Sequence, residues 1–196
     1  MEPWIPAHQG LAAVLAQLRA RDLPLFAPRP WKPWDGVLRA RIAGEGLGLV
    51  PGEGAAAMRA GLYLWNDDLA ESHALSQHLP SPTGSYWHGL MHRREGDLDN
   101  AAYWFRRVGA HPVFPAVRRY ALARAEARAG CGDRWCEARL AELRRADAWD
   151  PFAFLNGCRA AGAHPWLAEV QAFEMDELLA HGVREPDRAL GSGPAG

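Results

Sequence analysis

Strand formers are scarce in this chain. Val, Ile and Thr together supply 11 residues, with Thr83 the single threonine, against 36 Ala. β-Branched residues favour a pleated surface and Ala favours a helix, so the balance excludes a β-sandwich or barrel and argues against a parallel sheet. Lysine is nearly missing: Lys32 stands alone beside 21 Arg. That bias reads as genome composition rather than as planar phosphate recognition. It brings no charge excess, because 22 basic residues meet 23 acidic ones for a net charge of -1. A generic polyanion binder carries a basic excess, so nucleic acid is not an expected partner. The mild basic stretch at 117–145, around Trp135, reads as a solvated helix face.

Cysteine is also short, at three residues: Cys131, Cys136 and Cys158. An odd, low count argues against a disulfide framework and for a reducing compartment. The spacing matches no zinc-finger frame, so free thiols are expected. No stretch of ~18 apolar residues occurs, which excludes a hydrophobic helical span. Residues 1–10 lack the basic start and apolar run of a secretory signal. The cytoplasm is therefore the expected location. Neither a Walker loop nor a G-x-S-x-G elbow is present. The GEGLG cluster at Gly44–Gly48 has no βαβ unit around it and is expected to be loop.

What is present reads as helix. A chain of 196 residues is one domain's worth. The expected fold is all-α, a stack of antiparallel helical hairpins resembling tetratricopeptide repeats, with about eight helices. The first covers 8–21, with Leu11, Val14, Leu15 and Leu18 at helical spacing. A strap rich in Pro and Trp follows over 24–36, expected to pack on the body through its tryptophans, and then a Gly-rich loop over 37–54. The expected helical body spans 55–183. Its helices run at about 55–78, 85–95, 97–108, 115–130 and 133–147, one more starts at Asp150-Pro151, and the last covers 165–181, punctuated by Gly96, Pro115, Gly130, Asp133, Pro165 and Gly182. Residues 184–196 read as a disordered tail.

The block from Gly84 to Pro112, GSYWHGLMHRREGDLDNAAYWFRRVGAHP, resembles one tetratricopeptide-type helical hairpin. Gly89 falls where the two helices approach, and Gly96-Asp97 at the turn. Ala101, Phe105 and Val108 fall on the inward face of the second helix, and Pro112 at the repeat's closing proline. The resemblance covers about 29 residues. A second clean copy is missing, whereas a solenoid needs at least ~3 repeats. The longer string, through Val113 and Phe114, is similar to an uncharacterised family of bacterial and fungal proteins, and no activity comes with that resemblance.

The departure from the repeat is more informative. Ser85 holds the opening aromatic position, and His88 and His92 hold two positions that are inward and apolar in the repeat pattern. Four residues apart, they share a helix face, and Glu95 extends that face. Buried imidazoles need partners. His73, on the inward stripe Leu62, Trp65, Leu69, Ser72/His73, Ser76 and Leu79 of the 55–78 helix, faces the same seam. Five of the eight His (His73, His78, His88, His92 and His111) fall between Glu71 and His111. One reading is a metal site with His73, His88 and His92 as ligands, Glu95 or Glu71 as fourth ligand or base, and Zn, Fe, Mn or Cu as the ion. It lacks the zincin Glu after its first His, where Gly89 stands, and it reverses the di-iron Glu-x-x-His order. The other reading is a structural polar network through Tyr86, Arg93, Glu95 or backbone carbonyls.

Two functional expectations follow. The first is a helical-hairpin binding or scaffold module for a peptide or protein partner, with an exposed groove lined by Tyr86, Tyr103, Trp104 and Arg107. The alternative is a metal-binding protein or metal-dependent enzyme built on His73, His88, His92 and Glu95, with Arg106, Arg107 or His111 near a substrate. Tyr103, Trp104 and Phe105 beside Arg106-Arg107 also suit an anionic small molecule, against the plainer reading of one core face and one solvated face. No nucleophile with an adjacent base stands out, so no reaction type is assigned.

Overall fold

A computed structural model describes residues 9–184 of the chain. Among the described residues there is no strand, and ten α-helices carry the fold. They are α1 (Gln9–Arg19), α2 (Gly36–Ala43), α3 (Glu53–Trp65), α4 (Leu69–Ser76), α5 (Pro82–Glu95), α6 (Leu98–Val108), α7 (Phe114–Ala129), α8 (Arg134–Arg145), α9 (Pro151–Ala161) and α10 (Pro165–Arg184). The expected disordered tail lies outside the described residues, apart from Arg184, which ends α10.

Two differences raise the count from eight to ten. The expected loop at 37–54 holds α2, because Asp35 is an N-cap whose carboxylate accepts from the backbone N–H groups of Val37 and Leu38. The Gly cluster behind it makes a single 3-10 turn, Glu45–Leu47, closed by Gly48 in the left-handed region. The expected helix over 55–78 is broken into α3 and α4 at Asn66-Asp67-Asp68. Asp67 has φ 59°, which no continuous helix allows, and the Asp68 side chain caps α4 through the Glu71 N–H.

The break is held from outside. Asn66 grips the strap, donating to the Asp35 carbonyl at 2.8 Å while its own backbone carbonyl accepts from the Trp34 N–H at 2.7 Å. Asp67 takes two arginines, Arg21 and Arg94, at 2.7 Å each. The strap does pack on the body, but not through its tryptophans. Trp31 and Trp34 stay about half exposed, while Leu23, Leu25 and Ala27 are buried. A backbone bond from Ala27 N–H to the Arg94 carbonyl and a bond from the Gln171 side-chain amide to the Leu25 carbonyl fasten it.

The centre of the molecule is α5. It is capped by Ser81, with Pro82 in the first turn, and stopped by Gly96 at φ 90°. It packs on α3, α4 and α6, and every residue from Gly84 to Arg94 is buried. Gly89 lies against α6 so closely that a Cβ would come within 2.9 Å of the Phe105 ring, which explains the small residue there. The long α10 packs on α3, α7 and α9 and reaches α5 through side chains.

Candidate metal centre

A helix buried on all faces is normally apolar all round. α5 instead carries His88, His92, Arg93 and Arg94 into the interior, and two pairs of these residues are resolved differently. The arginines are fully satisfied in charge. Arg93 donates to Glu174 at 2.6 Å and to Gln171 at 2.9 Å, and Glu174 also accepts from the Tyr86 hydroxyl at 2.5 Å. Arg94 meets Asp67 at 2.7 Å and the Leu64 carbonyl at 2.5 Å. Burial still pulls the Arg94 guanidinium down to about 10, against the opposing pull of Asp67.

The imidazoles are not so provided. His88 is buried, and neither of its ring nitrogens makes a hydrogen bond of ordinary geometry, the Ser76 backbone exerting only a weak pull on the ring. Its neighbours are two more imidazoles. His92 lies one turn along α5, stacked at 4.8 Å between ring centroids, and His73 comes from α4, edge-on to both at 4.8 and 5.6 Å. Trp104 of α6 closes the fourth side, stacked on His88 at 3.9 Å and itself covered by the Arg107 guanidinium. One donor nitrogen from each of His73, His88 and His92 lies within 4.8 Å of the other two. Tetrahedral bonds of ~2.0–2.1 Å need donors roughly 3.3 Å apart, so small ring rotations close the set.

Burial favours the uncharged form of His73 and His88, which is the form that binds metal. It pushes His88 down to about 3, with the neighbouring His92 and His73 adding to the effect and the Ser76 backbone opposing it. His73 is lowered too, first by burial and then by His92, although it is only half buried and forms the site's outer edge. The Ser72 and Ser76 hydroxyls, also buried on α4, have no partners either.

Glu95 is not a fourth member of the triad. Its carboxylate accepts from His92 Nδ1 at 2.7 Å, which leaves Nε2 of His92 as that ring's free donor. A carboxylate behind an imidazole fixes its tautomer and raises its basicity, the usual company of a metal-binding histidine. Glu71 pairs instead with Arg39, at 2.7 Å. His78 is exposed.

The expected groove does not assemble. Tyr86 is fully buried on Glu174, because its hydroxyl completes the Arg93 network, so it cannot line an exposed surface. Tyr103, Arg106 and Arg107 are exposed, while Trp104 is spent on His88. His111 is buried away from the triad, between Thr83, Tyr86 and His181. Burial, then the nearby His181, lowers it to about 4.

Two other clusters have metal-compatible spacing and a different character. At Asp133, Cys136 and His164 the polar atoms are already engaged. Asp133 caps α8 through the Cys136 N–H and meets His164 Nε2 at 3.3 Å, while His164 Nδ1 accepts from the Trp166 N–H. Burial pushes the Cys136 thiol up to about 12, with the Asp133 carboxylate adding to it, so the thiolate a metal needs is suppressed. The His92, Glu95 and Asp97 group reuses the carboxylate that orients His92, and Asp97 caps α6. Among the described residues, of these three sets only His73–His88–His92 contains a buried side chain, His88, whose ligand atoms are without partners.

Sequence reasoning found the three histidines and missed the partners of Arg93, which follows His92 on α5. The signal for Glu174 and Gln171 was available: both sit on the apolar face of α10 beside Val170, Met175 and Leu178, where an acid demands a buried cation. No family model, no curated protein and no solved structure matches the chain.

Proposed function

We propose that the protein binds one divalent transition-metal ion through His73, His88 and His92. The observation that carries this reading is His88, a buried imidazole with both nitrogens unpartnered and two further imidazoles against it. A structural network would satisfy such a group, since an unpartnered buried donor costs roughly 1–3 kcal/mol. Three neutral imidazoles suit zinc first, and copper or iron by the same donor chemistry. Three protein donors on a tetrahedral ion leave one position for water or another exchangeable ligand. Glu95 orients His92 rather than serving as ligand or base. A docking module for a peptide has less support, because of the expected groove only Tyr103 and Arg107 are fully at the surface.

The test is metal analysis of tag-free protein, followed by calorimetric titration of zinc into the stripped chain. One equivalent is expected. His88→Ala is expected to weaken binding by at least roughly 100-fold and Glu95→Gln by ~10–100-fold, the latter being the size of an outer-shell loss. Cys136→Ser is expected to change nothing. Failure of the stripped wild type to take zinc, or equal binding by His88→Ala, would overturn the reading.

A further inference from the structure

Among the described residues His88, His92 and His111 are the buried histidines, and His111 is the one outside the candidate metal centre. It stands in the turn between α6 and α7. Three helices close over it. α5 contributes Thr83 and Tyr86, α7 contributes Phe114, and α10 contributes His181, whose ring stands edge-on at 5.2 Å between centroids. Both ring nitrogens are engaged, which separates His111 from His88. Nδ1 accepts from the Val113 N–H at 3.4 Å, so the single proton of the neutral ring sits on Nε2 and is donated to the Thr83 hydroxyl at 3.1 Å.

That arrangement suits one proton and not two. A second would sit on Nδ1 and point at the Val113 N–H, which is itself a donor. The titratable groups that face the ring supply no counter-charge. Tyr86 spends its hydroxyl on Glu174, and a charge on His181 opposes one on His111. Elsewhere on α10, Glu177 pairs with Arg184 at 3.5 Å. Burial adds the largest penalty and, with His181, takes His111 down to about 4.

The contact that acid disturbs is the one that docks the end of α10. His181 is half-buried there, and Gly182 beside it lies so close to α3 that a Cβ would meet the Met58 sulfur at 2.6 Å. α10 ends two residues further on, at Arg184. A helix end opens at lower cost than the whole fold, since few residues must move. We infer that His111 and His181 form an acid-released latch, which holds the end of α10, residues 178–184, on the α6–α7 turn and α3 at neutral pH and frees it in acid. The open form is the one that accepts the second proton. Its imidazole titrates near the ordinary value of 6.5, so opening is favoured increasingly as pH falls below that value, and the effect is complete below about 4. The latch shares no residue with the histidine triad and does not depend on the metal reading.

Amide hydrogen exchange of the full chain, corrected for the intrinsic pH dependence of exchange, tests the latch. The opening constant at 178–184 is expected to rise roughly 20-fold from pH 7 to pH 5, the ratio required by protonation at 6.5 in the open form and about 4 in the closed form. Low concentrations of urea are expected to leave that opening unchanged, because a freed helix end exposes little surface, whereas the buried amides of α5 are expected to exchange with the urea dependence of global unfolding. His111→Gln keeps a donor and an acceptor but takes no proton, and is expected to remove the rise. Should that variant fold poorly, His111→Phe serves, because it keeps a ring among Tyr86, Phe114 and His181 and is expected to remove the rise equally. Three results would overturn the latch: a wild-type opening constant that does not change with pH, the same rise in the folded variant, or a urea dependence at 178–184 equal to that of α5.

Discussion

His88 separates a functional histidine from a structural one. A residue retained for packing loses stability when replaced, whereas an unpartnered buried imidazole is already a cost to the fold. His88→Leu in metal-free protein is therefore expected to unfold within about 1 kcal/mol of wild type in denaturant, the lost stack on Trp104 offsetting the relieved burial. A loss approaching ~3–5 kcal/mol, typical of breaking a buried polar pair, would instead make His88 a structural linchpin. His111 gives the pH counterpart. The unfolded chain protonates it near 6.5 and the folded chain only near 4, so the unfolded state binds more protons between those values. Stability is complete above pH ~6.5 and falls as pH drops towards 4, by up to about 3 kcal/mol. Comparison of wild type with His111→Gln across pH 4–7 is expected to remove that part of the acid-side slope, and an unchanged slope would refute it.

At the scale of elements, the legible features were those written in local sequence. Caps and stops such as Asp133, Asp150-Pro151 and Gly96 placed their own helix ends to within a residue or two, whereas α5 begins three residues early at Pro82 and α10 runs through the expected stop Gly182 to Arg184. The break between α3 and α4 was not legible, because the apolar stripe runs on in phase across Asn66-Asp67-Asp68. The turn exists through distant partners: the strap on Asn66 and Arg21 with Arg94 on Asp67. The missed α2 was legible in principle, since Asp35-Gly36 is a capping signal that the surrounding Pro and Gly outweighed in the reading. Seam geometry yields a further expectation. A Cβ on Gly61 of α3 would stand 2.5 Å from the Trp87 ring of α5, and α5 has no free face into which to retreat. Gly61→Ala is expected to destabilise by roughly 2 kcal/mol and lower the melting temperature by ~4–8 °C, despite the better helix propensity of Ala. An unchanged melting temperature would show that the α3–α5 seam is looser than described.

Across the whole molecule, composition sufficed for the all-α class, because so few strand formers and so much Ala leave little else. No helix among the described residues is long and apolar enough to cross a membrane. Composition could not reveal how α5, α10 and the strap lock together. That lock is a buried polar chain, Tyr86–Glu174–Arg93–Gln171–Leu25, which joins residues as far apart as Leu25 and Glu174. Polar residues of this kind look solvated when read one helix at a time, and Arg93 and Arg94 were not singled out as buried for that reason. Glu174→Gln leaves the Arg93 charge buried without its carboxylate and is expected to cost about 3–5 kcal/mol by denaturant unfolding. The same chain anchors the helix that carries His88 and His92.

X-ray absorption at the zinc edge of the loaded protein reads directly whether one ion sits among the three imidazoles. Three nitrogen neighbours at ~2.0–2.1 Å with imidazole outer-shell scattering, plus one oxygen, are expected. A sulfur neighbour at ~2.3 Å would place the ion at Cys136 instead, and a shell of oxygens without imidazole scattering would leave the histidine site without a role in metal binding.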